Sequence, residues 1–280
     1  MNGQRLKYDS NPVYLGVTLD RTLSYKPHLS KTTSKLKTRN NLLSKVAGTT
    51  WGAGATTLRT SALALCYSVA EYCCPVWARS SHTRMIDSQL HSSMRLITGC
   101  LRSTPVPWLP VLANTAPPGL RRQAATAELV SKIQRNSHWP VHDDVFNHPQ
   151  SRLPYRRPIW SVDSSGNTNE LWREHWVSAS VVNHGLIPDP AIRPPGFNLP
   201  RQPWSLLNRF RTGQGTCRAS LHCWGLASSD LCECGKRQTM VHIIEECPLT
   251  KFDDGLDTLH QADDDAVIWL QTKATTAFAK

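Results

Sequence analysis

The segment Leu231-Cys-Glu-Cys-Gly-Lys-Arg-Gln-Thr-Met-Val-His-Ile-Ile-Glu-Glu-Cys-Pro248 brings three cysteines and one histidine together within sixteen residues. Three thiolates and an imidazole complete a closed tetrahedral zinc site of the structural kind. Gly235 follows the first pair, where the chain must turn tightly to direct two thiols at one ion. A segment this short buries too little apolar surface to be stable without a disulfide or a bound metal ion. We therefore predict a structural Zn²⁺ with four ligands: Cys232, Cys234, His242 and Cys247.

Two alternatives to this four-ligand site remain open at this point. The Cys-x-Cys spacing is tighter than the usual gap, and cysteines are also common as ordinary buried apolar residues. Three upstream residues could replace one ligand or form a second, incomplete site: Cys217, His222 and Cys223. The expected apolar face around the histidine consists of Met240, Val241, Ile243 and Ile244.

Basic charge is concentrated in the first half of the chain. The 280 residues carry a net charge of +11. Residues 1–60 contain ten Lys and Arg against two Asp and Glu, and residues 61–135 contain eight against three. A basic field on one region is the electrostatic signature of a polyanion partner, so the asymmetry favours nucleic acid over a merely solvated surface.

Cysteine usage and hydropathy predict an intracellular protein. The nine cysteines are odd in number and clustered, and the start of the sequence lacks the apolar stretch of a secretory leader. The longest apolar run, from Ser61 to Ala70, is too short to cross a bilayer. We expect a cytoplasmic or nuclear location, no secretion and no membrane partner.

The first sixty residues predict a strand, a turn and a basic helix. Residues 12–19 are β-branched and apolar, which favours a strand, with a turn at 20–22 and a short return strand at 23–25. A helix over about 28–47 follows Pro27, with an inward stripe of Leu29, Leu36, Leu43 and Val46. Few acidic residues balance its basic face, so we expect five residues to contact phosphates: Lys31, Lys35, Lys37, Arg39 and Lys45.

Three further helices complete a predicted bundle. One spans about 56–72 with inward residues Leu58, Ala62, Leu65, Val69 and Tyr72. The next spans about 83–98, with Ile86, Leu90, Met94 and Ile97 on one face, and stops at Gly99. Residues 103–110, rich in proline, predict an extended connector. The last helix covers 117–135, with Leu120, Ala124, Ala127, Val130 and Ile133 inward.

Residues 140–203 have a different composition, since ten of the nineteen prolines fall there. Only residues 169–183 of this stretch predict a helix. The tryptophans are expected to order it against the rest of the protein: Trp160, Trp172, Trp176 and Trp204. A short basic helix at 206–211 and a weak tail helix at 265–278 complete the assignment.

Two stretches together resemble the reverse transcriptases of non-LTR (LINE-type, jockey-like) retrotransposons. Tyr14-Leu-Gly-Val-Thr-Leu-Asp20, followed by Tyr25-Lys-Pro-His28 and a basic helix, is similar to the end of their palm and the start of their thumb. Asn208-Arg-Phe-Arg-Thr-Gly213, Trp224-Gly-Leu226 and the Cys-x-Cys-Gly segment resemble their C-terminal cysteine–histidine region.

The resemblance implies a mainly α fold and a division of the chain into five parts. These are a palm-end β-hairpin remnant (1–26), a helical thumb-like bundle (27–139), a Pro/Trp-rich irregular linker (140–204), a zinc-knuckle-like unit (205–250) and an acidic tail (251–280). It also implies that Tyr14, Leu15 and Gly16 help to position the primer end. The implied partners are RNA and an RNA–DNA or DNA duplex. We also expect Arg209 and Arg211 to contact phosphates beside the knuckle.

The resemblance implies RNA-directed DNA polymerase activity for the family, but the sequence offers no catalytic residues of its own. The polymerase carboxylates, which hold two Mg²⁺ ions in a full-length enzyme, lie upstream of the Tyr-Leu-Gly hairpin in that family. The acidic groups at 143–144, 253–254 and 263–265 lack the supporting strands that such chemistry needs. We therefore expect a nucleic-acid-binding fragment. The alternatives are a zinc-stabilised helical interaction scaffold, a functioning polymerase that is longer than this chain, and a decayed reading frame.

Overall fold

The computed structural model describes residues 9–147 and 167–278, and within them the fold is mainly α-helical with one short N-terminal hairpin. The strands are β1 (Val13–Tyr14) and β2 (Val17–Thr18), paired antiparallel in the register Val13 to Thr18 and Tyr14 to Val17. The first part of the chain contains helices α1 (Lys26–Ser44), α2 (Ala55–Ala62), α3 (Ser68–Ala70), α4 (Cys74–Trp77), α5 (Arg84–Thr98), α6 (Trp108–Ala113), α7 (Pro118–Arg135) and α8 (Val141–Phe146). The second part contains α9 (Thr168–Val177), α10 (Arg201–Arg211), α11 (Arg218–Cys223), α12 (Gly255–Gln261), α13 (Asp264–Trp269) and α14 (Thr275–Ala277). A 3-10 turn covers His184–Leu186, and π-helical turns cover Leu63–Tyr67, His242–Glu246 and Leu270–Ala274.

The hairpin lies inside the segment that predicted one continuous strand. Leu15 and Gly16 both have positive φ, 44° and 80°, which turns the chain back after two residues. Two successive residues with positive φ form the tight hairpin turn whose twist matches the flanking strands. The predicted strand over 12–19 and the return strand at 23–25 are therefore wrong, because Gly16 supplies the turn within the apolar run.

Asp20 holds the chain between the hairpin and α1. Its carboxylate accepts hydrogen bonds from the backbone N–H groups of Tyr25 at 2.7 Å and Ser24 at 3.1 Å, and from the Thr22 hydroxyl at 2.9 Å. Tyr25 itself has φ of 60° and no side-chain cap, so the start of α1 relies on Asp20. Burial opposes ionisation, but these hydrogen bonds outweigh it and lower the pKa of Asp20 from 3.8 to about 2.

We expect Asp20→Ala to lower the free energy of unfolding by about 1–2 kcal/mol, the range found for the loss of a helix cap. The folded-state pKa lies below the unfolded value, so the ionised carboxylate stabilises the fold above about pH 4, and this contribution is lost as the pH falls towards about 2. Urea denaturation across that range measures both effects. Asp253→Ala, at an exposed position, is the matched control. An acid-induced loss of stability equal in wild type and Asp20→Ala would contradict this role.

The first hydrophobic core lies between α1, α2, α4 and α5. The sequence placed Leu29, Leu36 and Leu43 of α1 inward, and all three are buried. α5 carries its four predicted residues inward and ends at Gly99, whose φ is 70°. Val46 is 48% exposed, because α1 ends at Ser44, before the residue that was expected to extend the stripe.

A π-helical turn shifts the buried face of the second predicted helix. Leu58 and Ala62 point inward as expected, but Leu65 and Tyr72 are exposed, and Cys66, Tyr67 and Ala70 are buried instead. The turn at Leu63–Tyr67 contains an extra residue relative to an α-helical turn. The inward stripe therefore moves on by about one position after residue 62.

The connector predicted to be extended over 103–110 contains the start of α6. All six residues of this short helix are buried, and Trp108 packs edge-on against Trp176 with ring centroids 5.0 Å apart. Trp172 and Trp176 of α9 and Trp204 of α10 are buried, which confirms that tryptophans order the proline-rich stretch. Trp160 lies outside the described residues, and so do residues 148–166 of the predicted linker.

A second core unites the predicted knuckle unit with the predicted acidic tail. Leu207 and Phe210 of α10 share it with Ile243, and with Trp269 and Leu270 of the tail. Phe210 and Trp269 have ring centroids 5.3 Å apart. The helix predicted at 265–278 therefore packs against the core. It consists of α13, a π-helical turn and α14, and its acidic residues face solvent.

Candidate functional site

The four predicted metal ligands converge at one point. One ligand atom from each of Cys232, Cys234, His242 and Cys247 lies within 4.8 Å of the other three. The sulfurs of Cys232 and Cys247 are 3.7 Å apart, and the Cys234 sulfur lies 3.2 Å from Nε2 of His242. Two sulfurs bound to one tetrahedral Zn²⁺ at about 2.3 Å are separated by about 3.8 Å. The donor set and its spacing therefore fit a zinc ion.

Local backbone geometry brings the first two thiols together. Cys232 N–H donates to the carbonyl of Lys236 at 2.7 Å, and Gly235 N–H donates to the carbonyl of Cys232 at 2.9 Å. Gly235 has φ of 84°, and a Cβ there would meet no atom within 4 Å. The glycine is thus required for its backbone conformation and not for space. This confirms the tight turn predicted after Cys234.

The other two ligands are placed by the π-helical turn His242–Glu246. Cys247 N–H donates to the carbonyl of His242 at 2.8 Å, which closes the turn and aims both side chains at the same point. Nδ1 of His242 lies 3.3 Å from a carboxylate oxygen of Glu246. A carboxylate on Nδ1 fixes the ring orientation and leaves Nε2 free to bind the metal.

The site is set in an apolar and hydrogen-bonded surround. Met240, Ile243 and Ile244 are buried as predicted, whereas Val241 is exposed because it lies on the outer side of the turn. Burial opposes ionisation of the Cys247 thiol, but hydrogen bonding by Thr250 and by the backbone at Leu249 outweighs it and lowers the pKa of Cys247 to about 6. A lowered thiol pKa favours the thiolate that binds metal.

The three upstream candidates are not part of this cluster. The Cys217 sulfur lies 3.2 Å from the Ser220 hydroxyl, at the start of α11, and His222 and Cys223 are exposed. Within residues 9–147 and 167–278, the grouping of potential metal ligands contains the four predicted residues and none of these three.

The basic residues of α1, together with Lys45 just after its last residue, form two rows along the helix. Lys31, Lys35 and Arg39 follow one another at intervals of four, and Lys37 and Lys45 flank Asn41 in a second row. The four lysines are exposed. Among the described residues no carboxylate pairs with any of them, although Nζ of Lys31 lies 3.4 Å from the Thr18 hydroxyl. Arg39 is partly engaged, since its guanidinium donates to the carbonyl of Leu65.

Arg211 lies in the core and not on a nucleic-acid surface. It is completely buried, and its guanidinium donates to Nδ1 and the carbonyl of His260 at 3.0 and 2.9 Å and to the carbonyl of Pro195 at 2.8 Å. Burial lowers the pKa of Arg211 to about 9. Arg211 is therefore removed from the predicted phosphate contacts. Arg209 is half-buried, which leaves part of its side chain accessible.

Tyr14, Leu15 and Gly16 lie at the tip of the hairpin. Tyr14 and Leu15 are 68% and 73% exposed. The Tyr72 hydroxyl donates to the carbonyl of Leu15 at 2.9 Å, which fixes the turn against the helical bundle. The structure thus presents two large apolar side chains to solvent on a supported turn.

The chain is similar over most of its length to a retrotransposon protein. It is 26% identical over 257 residues to a 115 kDa protein in the type-1 retrotransposable element R1DM of Drosophila melanogaster. The alignment covers 88% of this chain and 24% of the relative, so the chain spans about a quarter of the length of that protein. This similarity supports a retrotransposon origin.

Two further comparisons give no match. The chain matches no protein-family model and no solved structure.

Arg201 is a key residue that the sequence did not reveal. It is buried at the start of α10, and its guanidinium donates to the carbonyls of Ile97 at 2.7 Å, Leu96 at 2.7 Å, and Ala47 and Gly48 at 3.2 Å. Burial lowers the pKa of Arg201 to about 10, so it stays charged at neutral pH. No local pattern distinguishes it from the exposed arginines.

No described helix is both long enough and apolar enough to cross a membrane.

Proposed function

We propose that this chain is the C-terminal part of a non-LTR retrotransposon reverse transcriptase, and that it binds RNA or an RNA–DNA duplex. In this proposal the hairpin is the end of the palm and α1–α7 form the thumb. The observation that carries it is the presence on α1 of exposed lysines without carboxylate partners. The similarity to a retrotransposon protein over most of the chain supports the retrotransposon origin on which this proposal rests.

The two basic rows of α1 suit a polyphosphate backbone. Lys31 and Lys35 follow one row along the helix, and Lys37 and Lys45 follow a neighbouring row. Lysine side chains reach phosphates as point charges without reading base identity. Binding through them is expected to be salt-sensitive and largely independent of sequence.

The metal centre has a structural role in this proposal. It joins the segment 231–248 to the second core, and zinc would hold that segment folded beside α10. Arg209 of α10, which is half-buried, is proposed as a further phosphate contact. Tyr14 and Leu15 at the hairpin tip are proposed to contact the primer end in the complete polymerase.

Polymerase activity belongs, in this proposal, to a longer protein that also supplies the Mg²⁺-binding carboxylates. Asp253 and Asp254 are exposed beside the segment 231–248, and within residues 9–147 and 167–278 no strand directs them at a primer. We assign no catalytic residue within the chain.

The combined substitution of Lys31, Lys35, Lys37 and Lys45 by glutamine tests the proposal. We expect weaker binding to a labelled RNA–DNA hybrid, because each lost phosphate contact removes the release of about one counterion. The slope of log K against log salt should fall in magnitude by about 3–4. Fluorescence anisotropy over a salt series measures both quantities.

The matched control removes four charges elsewhere, at Lys132, Arg135, Lys251 and Lys273, all of which are exposed. It should retain most of the affinity and the salt slope. Equal binding by the α1 variant and wild type would contradict the proposal. A folded wild-type protein that binds neither RNA nor the hybrid would instead favour an interaction scaffold.

A further inference from the structure

An open groove of about 860 Å³ runs between α1 and α5 and ends at the loop that follows α5. Most of the residues that line it are polar or charged, and Leu96 and Val106 are the large apolar residues among them. α1 contributes Asn41 and Ser44, which belong to the side of the helix that carries Lys37 and Lys45. Such a lining does not suit an apolar ligand or the apolar face of a partner helix.

The groove has an excess of positive charge. Arg84, Arg95 and Arg102 line it, and none of them has a carboxylate partner among the described residues. The carboxylate in the lining, Asp87, is already bonded to Arg122 through both oxygens, one of them at 3.0 Å. Three arginine charges thus face the groove without internal compensation.

The floor of the groove is fixed by a buried hydrogen-bond network. Asn40 donates to the carbonyl of Gln89 at 2.9 Å and accepts from the Ser93 hydroxyl at 2.6 Å. This network ties α1 to α5 and sets the width of the groove. A pre-formed site loses little conformational entropy when a ligand binds.

Arg95 lies at the inner end of the groove with unused hydrogen-bonding capacity. Its Nε is buried and has no partner, and its Nη2 makes only a long 3.4 Å contact with the carbonyl of Thr104. Burial lowers the pKa of Arg95, and the neighbouring charge of Arg102 acts in the same direction. An anion between these two guanidinium groups would relieve their repulsion.

We propose that the groove between α1 and α5 binds the phosphate backbone of one nucleic-acid strand, with Arg84 and Arg102 at its rim and Arg95 within it. This inference rests on the proposed nucleic-acid binding and assigns it a specific site. Asn41 lines the groove and lies between Lys37 and Lys45 in one row, so a strand bound in the groove passes beside these two lysines.

The test adds or removes charge at exposed groove positions. Arg84→Gln combined with Arg102→Gln should weaken binding of a labelled RNA–DNA hybrid and of the same RNA alone about tenfold at low salt. The magnitude of the salt slope should fall by about 2, one for each lost phosphate contact. Ser88→Glu places a carboxylate in the groove and should give a similar loss, which diminishes as salt screens the repulsion.

Two controls carry the same chemical changes outside the groove. Lys132→Gln combined with Arg135→Gln removes two exposed charges from the end of α7, and Ser137→Glu adds one carboxylate just beyond it. Both should bind nearly as well as wild type. Thermal melts confirm that all variants are folded to the same extent.

The outcomes distinguish the groove from the general function. If both groove variants bind with the affinity of the wild-type protein, the groove assignment is overturned and the proposed function stays intact. Absence of binding by folded wild-type protein would overturn both. Loss of binding in the groove variants but not in the controls is the result that supports the assignment.

Discussion

Cys247→Ser is expected to abolish stoichiometric zinc binding and to unfold the region around residues 231–248. Cys247 is completely buried, and its sulfur lies 3.7 Å from that of Cys232, so an altered fourth ligand leaves an incomplete tetrahedron inside the protein. Structural zinc sites in small peptides contribute about 10–16 kcal/mol of apparent binding free energy, which is also folding free energy. A loss of several kcal/mol is therefore expected even though the second core remains.

Zinc content by elemental analysis and thermal melts by circular dichroism measure these two effects. Cys223→Ser is the matched control, because this thiol is exposed and lies outside the cluster. A chelator should reproduce the melt of Cys247→Ser in the wild-type protein and leave that of the Cys247 variant unchanged. Wild-type protein that is folded but free of zinc would show that the thiols are ordinary packing residues.

Arg201→Met is expected to lower the free energy of unfolding by about 3–5 kcal/mol. The substitution keeps an unbranched apolar stem but removes charged hydrogen bonds to four carbonyls. Two of these, on Leu96 and Ile97, belong to the last turn of α5, where carbonyls have no intrahelical partner. The carbonyl of Ile97 still accepts from the Trp204 indole, and that of Gly48 still accepts from the Gly52 N–H. The carbonyls of Leu96 and Ala47 lose the donor that Arg201 supplies, and a buried carbonyl without a donor costs about 1–3 kcal/mol, partly offset by local relaxation.

Urea denaturation at fixed zinc concentration measures this change. Arg135→Met, on the exposed end of α7, controls for the loss of one positive charge and should alter stability by less than about 0.5 kcal/mol. Arg201→Lys keeps the charge but not the planar set of donors, so an intermediate loss is expected. Stability of Arg201→Met within the range of the control would contradict a structural role for this guanidinium.

The convergence of the four predicted metal ligands was predictable because it depends on local geometry. All four ligands lie within sixteen residues, and Gly235 supplies the turn that the first pair requires. α5 was equally predictable, since its apolar spacing and its terminal glycine are both properties of neighbouring residues. The basic face of α1 follows from the same local pattern.

Other features could not be predicted because they depend on contacts between distant parts of the chain. Arg201 bonds to Ala47, 154 positions away in sequence. The sequence around Arg211 predicted an exposed arginine, but the side chain is buried against His260 of α12. The π-helical turn at Leu63–Tyr67 exchanged the buried Leu65 of the prediction for Cys66 and Tyr67. Apolar periodicity predicts the buried face on the basis of 3.6 residues per turn, so it does not reveal the shift that one added residue causes.

Three properties follow from the order of residues alone, since each depends on residues close together along the chain. They are the helical character of the protein, the position of its basic charge and the membership of its Cys₃His group. Contacts between distant segments set which arginines are buried and which line the groove between α1 and α5. Such contacts also make the acidic tail complete a core. A charged side chain becomes a structural or a binding residue according to the carbonyls and charges that surround it, and folding brings these together from distant segments.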